Sequence, residues 1–347
     1  QAMELPESER SSFLKNECSD DVLRAEVESL LHAFESHADL LERSPLARPD
    51  GEPAVDLHLR EDAIPGFRIV REIAQGAQGV VYCAEQAGTR REVALKVMSG
   101  GPFADRARRR RFEREVDVIC SLRHPAIVRV FDSGQVQGQY YYAMDFVDGE
   151  HLDLNVQSRS ARITEVLDLF VRVCDAVNHA HQHGVIHRDL KPSNVLVDDE
   201  GNPHVLDFGI AKLINGGPDN HGTAALSMTG HVLGTLAYMS PEHASGRPSD
   251  VDTRSDVYSL GVILYELLAD RLPYDLDGTM VDNLATIQSS EPKRLRTLDK
   301  RVDNELETII LKALNKEPSR RYQAAGALGE DVARYLRGEA IEAKRDS

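Results

Sequence analysis

Hydrophobic positions change their spacing along this 347-residue chain, and the changes divide it into parts. Up to about Asp62, Leu23, Val27, Leu30, Leu31 and Phe34 recur at helical intervals beside Glu26, Glu28 and Glu35. A stretch rich in proline and acid follows through Pro45, Pro49, Pro53 and Pro65, where a helix cannot continue. From Phe67 to Asp145 short β-rich runs take over, such as Gly79-Val80-Val81-Tyr82 and Val93-Ala94-Leu95-Lys96-Val97, interrupted by one strongly charged helix. From about Gly149 to Leu336 helical periods dominate. The run Asp256 to Leu264 is apolar nearly all round, as in a helix at the middle of a large lobe. The pattern predicts an α+β chain with a helical extension and linker over 1–62, a small sheet lobe with one helix over 63–147, a larger, mostly helical lobe over 148–338 and a charged tail over 339–347. No internal repeat is visible.

Composition narrows the partners. A formal net charge of −16 argues against nucleic acid, because a phosphate-backbone binder needs a basic surface. A protein or peptide partner fits better. The four cysteines, Cys18, Cys83, Cys120 and Cys174, are widely spaced without a CxxC pair, so neither a disulfide framework nor a zinc knuckle is indicated and a reducing cytoplasm is the expected compartment. No apolar run approaches the roughly 18 residues that cross a bilayer, and the N-terminus lacks a secretory pattern, so a soluble chain without a membrane segment is expected. The charged residues after Leu336 follow the large lobe at once. The chain therefore also reads as the cytoplasmic part of a longer protein whose sensor or membrane segment lies elsewhere.

The chemistry is concentrated in His187-Arg188-Asp189-Leu190-Lys191-Pro192-Ser193-Asn194 and, a short strand later, Asp207-Phe208-Gly209. In-line phosphoryl transfer from ATP needs a carboxylate to orient and deprotonate the acceptor hydroxyl, oxygen ligands for magnesium, and positive charge on the γ-phosphate. With both motifs in this order and at this separation, the chain resembles the protein kinases. Ser240-Pro241-Glu242, Asp256, Gly234-Thr235 and Arg321 extend the match over roughly Phe67 to Leu336, and the whole looks like the bacterial branch of eukaryotic-like serine/threonine kinases.

The resemblance implies a two-lobed kinase fold with ATP and Mg2+ as cofactors, Mn2+ being an acceptable substitute. Asp189 is implied as the catalytic base and Lys191 as the charge neutraliser, with Asn194 and Asp207 as metal ligands. Lysine two positions after the catalytic aspartate marks the serine/threonine form, so protein substrates with Ser or Thr acceptors are implied. Lys96 is implied to hold the α- and β-phosphates. Its helix partner is Glu115, with Glu113 competing. Along its strand Lys96 shares a face with Ala94 and Met98 and opposes Val93, Leu95 and Val97, and one of these faces must be the cleft.

For the nucleotide, Ala74, Gly76 and Gly79 stand where the family has its Gly-rich loop, with alanine in place of the first glycine, which implies a stiffer loop. Val81 and Ala94 are implied to lie against adenine, Met144 to guard the back pocket, the backbone of Asp145 and Val147 to hydrogen-bond the ring, and Leu196 to form the floor. Glu242 is implied to pair with Arg321, Asp256 to tether the catalytic loop, and Thr235 to form the shelf for the residue after the acceptor.

Between Asp207 and Glu242 lies a Gly-, His- and Ser/Thr-rich segment with little apolar content, the expected activation loop. Ser227 and Thr229 are its expected autophosphorylation sites, with Arg188 receiving the phosphate and self-association allowing transfer between copies. An unmodified loop is the plainer reading.

Two clusters carry less. His179, His181, His183 and His187 precede the catalytic loop at spacings that neither a helix nor a turn obviously gathers, so a metal cluster is not expected. The basic run Arg106, Arg108, Arg109, Arg110 and Arg111 is expected to open the Glu115 helix and meet phosphate or acidic side chains rather than nucleic acid. The amphipathic extension suits packing within the molecule, self-association or a regulator, the first being expected. The rival reading is a pseudokinase or nucleotide-binding scaffold. Only Ala74 favours it, since Lys96, Glu115, Asp189, Asn194 and Asp207 are all present. A dinucleotide binder fails because no GxGxxG leads from a strand into a helix.

Overall fold

In the computed structural model, strict alternation along three strands decides which way the small lobe faces. The described residues are 59–76, 79–98, 116–208, 235–247 and 250–344. The chain divides into two units, Gln1–Asp56 and Leu57–Ser347, and all described residues belong to the second. The amphipathic extension, the arginine run, Glu113, Glu115, Ser227, Thr229 and Gly234 lie outside them.

Strands β1 (Phe67–Gly76), β2 (Gly79–Gln86), β3 (Glu92–Met98), β4 (Val130–Val136) and β5 (Gln139–Asp145) form an antiparallel sheet in the order β1-β2-β3-β5-β4. Val93, Leu95 and Val97 of β3 pack with Phe67, Ile69, Val80 and Tyr82 into a cluster confined to this lobe. Ala94, Met98, Tyr142 and Met144 point the opposite way and join the core that continues into the large lobe. The face carrying Lys96 is therefore the cleft face. Gln137 and Gly138, both at positive φ, close the β4–β5 hairpin in two residues, as a primed turn requires. Gly79 sits at φ 147°, and a Cβ there would lie 2.0 Å from the Val97 carbonyl oxygen. No other residue fits that approach of β2 to β3. Residues 116–121 are helical, with Val116 and Ile119 buried in the shared core.

The large lobe is built round one helix. Its helices are α1 (Leu152–Ser158), α2 (Ile163–Gln182), α3 (Pro241–Ala244), α4 (Thr253–Ala269), α5 (Met280–Ser289), α6 (Leu295–Leu298), α7 (Asn304–Ala313) and α8 (Ala325–Arg337). α4 is buried at every position from Ser255 to Tyr265, as its unbroken apolar run requires. Each fully buried leucine or isoleucine there stabilises the lobe by roughly 1.5–3 kcal/mol. Its first turn is capped by Asp252, whose carboxylate accepts the Arg254 N–H at 2.8 Å. A second small sheet, β6 (Gly149–His151), β7 (Val195–Asp198) and β8 (Pro203–Val205), lies in the order β6-β7-β8.

Part of the segment read as a charged tail is docked. Buried Asp331 on α8 accepts the backbone N–H groups of Glu342 and Ala343 at 2.6 and 2.9 Å and the Tyr322 hydroxyl at 2.7 Å. Two backbone donors from this stretch, on a carboxylate that Tyr322 also engages, hold it against the lobe, and Ala343 is buried.

Candidate active site

Asp256, at the start of α4, organises the loop that carries the predicted base. Its carboxylate accepts the backbone N–H of His187 at 2.8 Å and of Arg188 at 2.9 Å, while His181 Nε2 meets it at 2.8 Å. Burial by itself pushes this carboxyl up. The hydrogen bond and charge of His181, with His187, outweigh that and hold it below the usual range. The clamp keeps Arg188 at φ 65°, a conformation a non-glycine residue holds only when its surroundings impose it. Buried His187 donates from Nε2 to the Leu206 carbonyl at 2.8 Å, and its ring lies 4.8 Å from that of Phe208.

The β7–β8 hairpin brings the two predicted metal ligands to one end. Val195 pairs with Val205, so Asn194 and Leu206 face each other, and Leu206 N–H donates to the Asn194 carbonyl at 2.9 Å. Asn194, in the 3-10 turn Pro192–Asn194, donates from Nδ2 to Asp189 O at 2.7 Å and to Asp189 Oδ2 at 3.3 Å. Lys191 Nζ lies 3.2 Å from Asp189 Oδ2 and donates to Thr235 Oγ1 at 2.9 Å. Asp189, Lys191, Asn194 and Thr235 therefore form one connected group.

From the small lobe, Lys96 Nζ reaches Asp207 Oδ2 at 2.6 Å. Tyr142, directly across from Lys96 in the β3–β5 register, donates its hydroxyl to Asp207 Oδ1 at 2.6 Å. Burial pushes the Asp207 carboxyl up, but the charge and hydrogen bond of Lys96, followed by the Tyr142 hydrogen bond, bring it below its ordinary value. Burial, then the Asp207 charge, raise the Tyr142 phenol well above its ordinary value, so it stays a neutral donor. Asp207 also has positive φ, 58°. The donor set suits a hard cation. Asn194 spends its amide N–H groups on Asp189, which leaves Oδ1 for a ligand, and each Asp207 oxygen keeps a lone pair beside its donor.

Of the residues expected round the nucleotide, Val81, Ala94 and Met144 lie on the sheet face that carries Lys96. Ala74 pairs with Val81 and Gly76 with Gly79 across the β1–β2 hairpin, and Ala94 pairs with Met144 across β3–β5. Val81 and Val147 are half-buried against the common core, and half-buried Leu196 sits on β7. Asp145 N–H already donates to the Arg129 carbonyl at 3.0 Å and is therefore not open to a base. Its carboxylate takes the Arg91 guanidinium at 2.7 Å.

Glu242 and Arg321 form a two-pronged pair at 2.7 Å, with Ser255 donating to the same carboxylate at 2.6 Å. The histidines divide. His179 in the last turn of α2 and His183, which caps its end, are one turn apart, so the helix end does gather them, with ring centroids 4.4 Å apart; the His124 ring lies tilted against His179 at 5.3 Å. His181 and His187 turn to other partners. Among the described residues no three or more His, Cys, Asp or Glu side chains form a group able to hold a metal. The sequence assigns no site role of its own to Tyr142, which only opens the expected hinge run Tyr142 to Gly149, and none to His181. Tyr142 was findable, since it lies two positions before Met144 on one strand and so shares its face. His181 meets Asp256 only through the packing of α2 on α4.

A family profile described as protein kinase domain matches residues 67–332. The chain is 35% identical over 280 residues to serine/threonine-protein kinase PrkC of Bacillus subtilis, covering 80% of this chain and 42% of that protein. It is 37% identical over 290 residues to serine/threonine-protein kinase pkn3 of Myxococcus xanthus, covering 81% and 52%. It thus spans about two-fifths to half the length of these relatives. Crystal structures of the Mycobacterium tuberculosis PknI kinase domain superpose with TM-scores of 0.59 and 0.61 at 29% and 30% identity, over 78% and 79% of this chain and 95% and 96% of theirs.

Proposed function

Because the chain belongs to the protein kinase family and has its two-lobed fold, we propose that it is a serine/threonine kinase that transfers the γ-phosphoryl group of ATP to hydroxyls of protein substrates. The observation that carries this reading is the connected set Asp189–Lys191–Asn194–Thr235 at the same end of the β7–β8 hairpin as the Lys96–Asp207 pair, which together supply a base, cations and hard oxygen ligands.

Asp189 orients the acceptor hydroxyl and takes its proton as the oxygen bonds to the γ-phosphorus and the bond to the ADP oxygen breaks. Lys191 sits beside Asp189 and neutralises charge on the transferred group, and Lys96 does so for the α- and β-phosphates. Thr235, tied to Lys191, borders the acceptor position. Asn194 and Asp207 are the residues that would hold Mg2+, with Mn2+ as substitute. The bound ion would supply positive charge to the phosphate oxygens. Ala74, Gly76, Gly79, Val81, Ala94, Met144, Asp145, Val147 and Leu196 are the proposed nucleotide contacts, and Glu115 the proposed helix partner of Lys96.

Regulation is proposed through phosphate on Ser227 or Thr229, taken up by Arg188 and added by a second copy of the chain. Among the described residues no helix is long and apolar enough to cross a membrane. The cytoplasm is the proposed location. Incubating the protein with ATP and Mg2+ beside Asp189→Asn, and mapping phosphate by mass spectrometry, tests the reading. Phosphate on Ser227 or Thr229 only with Asp189 intact is expected. Retained nucleotide binding without phosphate would favour the scaffold instead.

A further inference from the structure

We propose that Tyr142 is a positioning residue for metal capture: its hydroxyl, acting with Lys96, holds the Asp207 carboxylate in the orientation from which a divalent cation is bound. The inference rests on the kinase reading, in which Asp207 is a metal ligand.

The sheet register places Tyr142 there. Lys96 and Tyr142 are directly opposed on β3 and β5, and opposed residues project from the same face. Both side chains therefore leave the sheet toward Asp207, and each takes a different oxygen, Lys96 Oδ2 and Tyr142 Oδ1, both at 2.6 Å. Two donors from two strands fix the plane of a carboxylate that one donor would leave free to rotate. Asp207 needs such support, because its φ of 58° is one that a non-glycine residue keeps only when neighbours over-determine it.

The two donors are not equivalent. Lys96 is a flexible chain with three N–H bonds, and its ammonium is also required by the nucleotide phosphates. Tyr142 is 1% exposed on a rigid ring packed in the core, so its hydroxyl stays on Oδ1 when Lys96 turns toward phosphate. Removing that hydroxyl alone leaves a carboxylate oxygen without its donor and frees the side chain to turn away from the cleft. Partners that orient a ligating carboxylate govern metal affinity by about ten- to a hundredfold.

The test uses the full chain and two variants, Tyr142→Phe and Tyr142→Leu, with Asp207→Asn as control. ADP binding is followed by calorimetry across a series of Mg2+ concentrations and in EDTA, together with melting temperature. Tyr142→Phe is expected to raise the Mg2+ midpoint about tenfold or more and to leave ADP affinity in EDTA unchanged. Tyr142→Leu should reproduce the midpoint shift with a lower melting temperature. A midpoint equal to or below that of the unaltered chain, or an equal loss of affinity in EDTA, overturns the proposal and makes Tyr142 a packing residue. If the unaltered chain binds no ADP, or if Asp207→Asn leaves the Mg2+ dependence intact, the kinase reading of this site fails and takes the proposal with it. That pattern is distinct from a failure confined to the tyrosine variants.

Discussion

Lys96–Asp207 and Glu242–Arg321 are both short ion pairs, of 2.6 and 2.7 Å, yet their surroundings give them opposite uses. Arg321 has no exposed side-chain surface, and beyond its two bonds to Glu242 it donates to the carbonyls of Asn315, Arg254 and Lys316 at 2.6–3.0 Å. Nothing can enter to replace a partner, so the pair ties α3 to the end of the large lobe. Lys96–Asp207 joins two lobes across an open cleft, and the Asp207 side chain keeps 19% of its surface exposed. On the proposed kinase reading, a cation or phosphate would displace either partner there. The same charge chemistry is structural where every donor and acceptor is enclosed, and exchangeable where one side faces a ligand.

Arg321→Met tests the enclosed pair and carries the largest expected effect. It leaves Glu242 buried without its cation, and urea unfolding should show a loss of about 3–5 kcal/mol, with the activity of each folded molecule largely kept. Lys96→Met tests the exchangeable pair. Turnover of a peptide substrate should fall on the order of 10²–10³-fold, whereas the loss of stability stays well below that of Arg321→Met. Equal destabilisation by both variants would erase the distinction.

Acid gives a third test. Burial pushes the Glu242 carboxyl up, but the hydrogen bonds and charge of Arg321, with Ser255, bring it to about 2 from 4.5. A carboxyl lowered on folding stabilises fully above its unfolded value, and that contribution drains away as pH falls through the folded one. Unfolding followed between pH 4.5 and about 2 should show stability falling with pH. The slope should flatten in Arg321→Met, where the carboxyl is no longer lowered. The smallest change is Ala74→Gly. Placing glycine at the first position of the loop should lower the ATP KM and cost about 0.5–1 kcal/mol of stability.

What was legible beforehand follows from how far each interaction reaches along the chain. The apolar run from Asp256 to Leu264 determined a buried helix, because no other placement shields such a segment from water. Alternation along β3 determined that Lys96 sides with Ala94 and Met98, and the short spacing within His187 to Asn194 determined that base, lysine and amide occupy one loop. Alternation left open which face was the cleft, since period two is symmetric until the large lobe packs against one side. The neighbour of Lys96 on β5 was likewise out of reach, because register between strands is set by hairpins and core packing rather than by either strand alone. The His181–Asp256 contact depends on how α2 crosses α4. The sequence by itself thus determined the local chemistry and the faces on which it lies, and the tertiary structure decided the partners, because hydrogen bonds between distant segments form only after burial has chosen which faces meet.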